Sequence, residues 1–107
     1  MKLITKEIEL KCAANALMDE ENRKPFLKLF TPWGAATWLI SEIDGDEMFG
    51  LCDLGMGLPE VGYVLLSELI AIRGPMGLKV ERDMWFTPTQ TLSAYADEAR
   101  ATGRIAA

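Results

Sequence analysis

A chain of 107 residues, half of them hydrophobic, has the size and apolar content of one domain with a single core, and its net charge of −5 makes it acidic. It contains no histidine, which excludes Ser-His and Cys-His nucleophile pairs, HExxH zinc sites and any side chain with an ordinary pKa near neutrality. Cys12 and Cys52 are the only cysteines and lack CxxC spacing, so they read as small buried hydrophobes in a reducing compartment.

Charges interleave with apolar residues through the opening "MKLITKEIELK", and no apolar run approaches the roughly 18 residues of a membrane span. Neither a signal peptide nor a membrane segment is expected, and the expected location is cytoplasmic. Thr5 caps a predicted helix in which Glu7 and Glu9 occupy the first turns and Ile8, Cys12, Ala16 and Leu17 supply the apolar positions, running to about Asp19. "DEENRKP" is a polar connector, "FLKLF" a strand with Lys28 facing out, and "TPWG" a turn. "AATWLISEI" is rich in β-branched and aromatic residues and predicts a second strand. Asp44-Gly45 is a hairpin signal, returning through "EMFGLCD".

The stretch "FGLCDLGMGLPEVGY" carries Gly50, Gly55, Gly57 and Gly62, a density that raises the question of a phosphate loop. It lacks the Lys followed by Ser or Thr that a Walker loop needs, no basic residue lies nearby, and a strand-like run follows in place of a helix. Asp53 and Glu60 would repel a phosphate. "LGMGLP" is therefore expected to be a turn between antiparallel strands, with Gly55 and Gly57 at positive φ. Ser67 is expected to cap a short helix, "ELIAIR", stopped by Gly74 and Pro75. "GLKVERDMWF" reads as a further extended segment, "LSAYADEARATG" as a last helix ended by Gly103, and "RIAA" as a frayed end. These elements predict a single α+β domain over residues 1–107: an antiparallel meander of four or five strands with N-terminal, short middle and C-terminal helices covering one side.

Charge is the most informative pattern. Between Lys28 and Arg73 there is no basic residue but seven acidic ones, Glu42, Asp44, Asp46, Glu47, Asp53, Glu60 and Glu68, whereas the flanks hold all 11 basic residues against the remaining 9 acidic ones. The whole negative charge thus comes from the middle third. Solvated turns are the plain reading of it; a docking surface for a basic partner, such as a nucleic-acid-binding protein, is the sharper one. Direct nucleic-acid binding is disfavoured, because Trp33, Trp38, Tyr63 and Trp85 are not interleaved with Lys or Arg as a stacking platform requires. Trp38 and Tyr63 are expected to pack in the sheet. Trp33, between Pro32 and Gly34, is the aromatic expected to be partly exposed and to anchor a contact. "DGDE" at 44–47 lacks EF-hand spacing, so no metal or other cofactor is expected. Arg73 with Glu81 or Asp83 is expected to form a structural ion pair; a ligand-binding or catalytic site built on Arg73, Glu81, Arg82 and Asp83 is the alternative.

"MKLITKEI", "FLKLFTP" followed by a Trp-containing strand, "FGLCDLGMGLPEVGYVLLSEL" and "IRGPMGLKVERDMWFTP" together resemble a bacterial family of small proteins classed as a domain of unknown function. The resemblance runs from Met1 to about Leu92; "KCAANALMDEEN" departs from it where a proline-containing stretch is expected. It implies carriage on plasmids, integrative elements and phages, near anti-restriction and DNA-handling genes, and transfers no catalytic residue. Charge and context together lead to the expectation of a non-enzymatic accessory protein that binds a nucleic-acid-handling protein through Trp33, Glu42, Asp44, Asp46, Glu47, Asp53 and Glu60, inhibiting a defence system of the anti-restriction or CRISPR kind. A subunit role in a conjugation or partition assembly is a further alternative, and an exposed strand edge leaves the oligomeric state open.

Overall fold

The computed structural model describes residues 2–107 and contains α1 (Lys6–Asn15), β1 (Leu27–Phe30), β2 (Thr37–Asp44), β3 (Glu47–Asp53), β4 (Glu60–Leu65), α2 (Leu66–Ala71), β5 (Glu81–Arg82) and α3 (Leu92–Thr102). The fold is α+β. All five strands form one antiparallel sheet in the order β4-β3-β2-β1-β5. The first four strands are joined in a meander, after which the chain crosses to the far edge and adds β5 beside β1.

Local chemistry explains most of the element ends. The Thr5 hydroxyl accepts the Ile8 N–H at 3.2 Å and Thr91 does the same for Ala94 at 3.2 Å, each satisfying an N–H left orphaned at a helix start. Gly103 closes α3 in the left-handed region, φ 82°, its N–H returning to the Ala99 carbonyl at 2.7 Å. The α1 helix stops at Asn15, earlier than its sequence predicts, because the buried Asn15 amide donates to the carbonyls of Lys24 and Ser41, both at 2.8 Å. Those two bonds fasten the helix end to the connector and to β2, and the chain turns there.

Helices cover both faces of the sheet, not one. On the first face Leu27, Leu29, Trp38, Ile40 and Met48 pack with Leu3 and Ile8 from the N-terminal region, Leu69 of α2 and Val80. On the second, Leu39 and Leu51 pack with Leu92, Tyr95, Ala96 and Ala99 of α3. Strand alternation sends successive side chains of β2 and β3 to opposite faces, so each face presents an apolar row that needs its own cover. The C-terminal "RIAA" is held and not frayed: Ile105 packs into the second core and its N–H donates to Asp53 at 2.9 Å. The expected extended segment around Val80 shortens to Glu81–Arg82, after which Asp83 turns the chain by accepting the Trp85 N–H at 2.9 Å and leaves Trp85 89% exposed.

Candidate protein-binding face

Residues directly opposite one another on neighbouring antiparallel strands share a face. The register therefore builds three rows on the α3 side of the sheet: Leu39, Leu51 and Val61; Glu42, Phe49 and Tyr63; and Asp44, Glu47 and Leu65. Helix α3 covers the β2 and β3 positions of the first row and stops short of β4. Phe49 and Tyr63 meet edge to face with ring centroids 4.9 Å apart, and Tyr63 is 68% exposed, so it lies on the open part of the sheet and not inside it as its sequence context suggests.

Carboxylates ring this open apolar floor. A depression of about 310 Å³ is lined by Asp19, Glu20, Glu21, Arg23, Glu42, Phe49, Val61 and the start of α3, and a smaller adjoining one of about 140 Å³ by Glu42, Asp44, Glu47, Phe49 and Tyr63. Glu42 and Phe49 belong to both, so the two form one continuous surface. The carboxylates of Asp19, Glu20 and Glu21 come from the polar connector after α1, where only the acidic composition of "DEEN" marks them in the sequence. One cation enters the ring. Arg23 pairs with Glu42 and donates from Nε to the Met18 carbonyl at 3.0 Å, tying the connector to β2.

The other expected site residues are dispersed. Asp53 lies at the opposite end of β3, is 3% exposed, and uses its carboxylate internally: Oδ1 accepts the Gly55 N–H at 2.8 Å and Oδ2 the Ile105 N–H at 2.9 Å. It leaves the candidate surface. The same bonds answer the question of the glycine-rich turn, where Gly55 and Gly57 do take positive φ, 81° and 78°, because the anion held by that backbone is the protein's own Asp53. Glu60 is exposed but pairs with Cys52 in register, on the other face of the sheet. Asp46 is exposed yet engaged, accepting the Ser67 N–H at 2.8 Å and the Ser67 hydroxyl at 2.6 Å, so the hairpin caps α2 and Ser67 does not. Trp33 is only half-buried, but its ring lies flat against Gly74, where any β-carbon would fall 2.2 Å from it. It is a packing contact between the 31–36 turn and the segment after α2.

The alternative cluster does not converge. Arg73 donates to the Ile70 and Ile72 carbonyls at 2.6 and 2.9 Å, closing the end of α2, and the expected ion pair with Glu81 or Asp83 does not form. Asp83 pairs with Lys28 at 3.5 Å, Arg82 donates to the Lys2 carbonyl, and Glu81 sits opposite Phe30 in the sheet. Burial pushes the Cys12 thiol up to about 11, helped by the Glu42 charge, and raises Cys52 too, helped by Glu60, so neither is an activated nucleophile. Among the described residues, no helix is long and apolar enough to cross a membrane and no group of His, Cys, Asp or Glu is placed to hold a metal ion.

No curated protein and no solved structure is significantly similar to the chain. The family model described as "Protein of unknown function (DUF2958)" matches residues 3–106, which is nearly all of it, and the chain belongs to that family.

Proposed function

We propose that this protein is a non-enzymatic binding module that engages a basic, nucleic-acid-handling protein through the acid-ringed floor of Phe49, Val61 and Tyr63. The observation that carries this reading is the placement of Glu42, Asp44 and Glu47 beside the exposed Val61 and Tyr63 and the half-buried Phe49. Exposed apolar area rimmed by charge is the usual make-up of a protein interface, with affinity from the desolvated centre and steering from the rim. Carboxylates spaced along a surface also imitate the phosphates that a DNA-binding groove accepts, which suits an inhibitor of a restriction or CRISPR enzyme carried by a mobile element. The two unpaired thiols fit a reducing cytoplasm.

The test is affinity capture from host lysate at low and then moderate salt, with the natural protein beside the double variant Asp44→Lys, Glu47→Lys. A nucleic-acid-handling protein captured by the natural chain, released as salt rises and absent from the variant is the expected result. Equal capture by the variant refutes the acidic face. Asp46 is left unchanged in that variant because it caps α2.

A further inference from the structure

Strand β4 ends the sheet, and among the described residues nothing pairs with its outer side. The direction of its free backbone groups follows from one bond. Leu66 N–H donates to the Asp46 carbonyl at 2.8 Å, and hydrogen-bonded pairs alternate along an antiparallel ladder, so Val64 and Gly62 also turn their N–H and C=O toward β3. Val61, Tyr63 and Leu65 consequently turn theirs outward. These are the same three residues whose side chains line the open face, exposed by 37%, 68% and 40%. Natural edges are blunted by lysine, internal proline, a bulge or a covering segment. Between Val61 and Leu65 there is no charge and no proline, and the pairing with β3 runs without a bulge.

We infer that β4 accepts an extended, basic segment of the partner as a sixth, antiparallel strand, with alternate Arg or Lys side chains crossing Tyr63 and Leu65 to reach Glu47 on β3. The inference rests on the binding reading above and specifies the partner's form. In an antiparallel hydrogen-bonded pair both side chains share a face, so the residues that bond Val61, Tyr63 and Leu65 are those whose side chains join the acidic side. Strands lie about 4.8 Å apart, placing β3 about 10 Å from the added strand, a gap closed by an arginine from one side and a glutamate from the other. Arginine also stacks on an aromatic ring while it pairs. A second copy of this chain is the poorer occupant, because residues 29–72 contain no Lys or Arg and a second β4 brings no cation to the ring.

The probe is a capped eight-residue peptide of alternating Arg and Val, compared with the same peptide N-methylated at every Arg and with a Glu-Val counterpart. Hydrogen exchange at Val61, Tyr63 and Leu65 is expected to slow at least about tenfold on binding, and N-methylation to weaken affinity about tenfold or more, since each lost backbone bond contributes its own factor. Equal affinity of the N-methylated peptide with unchanged exchange overturns strand addition. Equal binding of the Glu-Val peptide overturns the basic class. Slow exchange at these amides in a peptide-free sample that sediments as a dimer makes the second copy the occupant and overturns the proposal. Absence of peptide binding, with a lysate partner still lost in the Asp44→Lys, Glu47→Lys variant, overturns strand addition and leaves the acidic face standing.

Discussion

The two ends of β3 begin with similar chemistry and finish with opposite roles. At one end Glu42, Asp44 and Glu47 surround a two-residue hairpin; at the other Asp53 and Glu60 flank the glycine-rich turn. Six residues of strand, about 20 Å, separate them. At the glycine end the chain returns: α3 and the C-terminal tail pack over it, and Asp53 is enclosed and spent on two backbone donors. At the hairpin end α3 has only begun, so Asp44 and Glu47 stay in water beside the exposed Tyr63, while Glu42 is taken by Arg23. A carboxylate becomes structural where a neighbouring segment offers it N–H groups and becomes a candidate contact where none arrives.

The comparison is broken most directly at Asp53. Asp53→Ala leaves the Gly55 and Ile105 N–H groups without their acceptor and is expected to cost about 3 kcal/mol, read as a lower urea midpoint. A cost under about 0.5 kcal/mol would make both ends equivalent. Next in size is a pH effect. Cys12 is pushed up by burial first and by Glu42 second, from about 9 to about 11. A group held neutral by the folded state stabilises that state fully below its unfolded pKa and loses the contribution as pH climbs to the folded one. Stability should therefore fall between pH 9 and 11 by on the order of 2 kcal/mol more in the natural chain than in Cys12→Ala, measured by urea titration at each pH.

The hairpin end is sharpened by separating its own residues. Asp46→Ala removes the cap on α2 and is expected to cost about 1 kcal/mol, with the α2 amides exchanging faster. The double variant Asp44→Lys, Glu47→Lys is expected to shift stability by less than about 0.5 kcal/mol while abolishing salt-sensitive partner capture. A large loss of stability there would show that the face is held together by charge and not left open by it.

Much of the architecture was legible in the residues. Thr5, the Asp44-Gly45 pair, Gly55, Gly57 and Gly103 each act on backbone within a few positions, and each does what its local chemistry predicts. The candidate site was legible in part. The acidic middle third was plain, but not that Asp53 turns inward or that Asp19, Glu20 and Glu21 complete the ring, because both depend on segments brought together from far along the chain. Trp33 shows the same limit: its partial exposure is legible from its place between proline and glycine, but not that Gly74, 41 positions later, supplies the surface its ring covers.

By itself the sequence determined the element types, the strand alternation, the hairpin positions, the absence of histidine chemistry and the origin of the net negative charge in the middle of the chain. Each is a property of composition or of neighbours in the chain. Tertiary structure alone decided that helices cover both faces, that β4 is left as a bare edge, and which carboxylates meet water. Those outcomes turn on where α3 and the tail come to rest, and that is set by the burial of Leu39, Leu51, Tyr95 and Ile105 against one another, a collective packing of residues up to 66 positions apart.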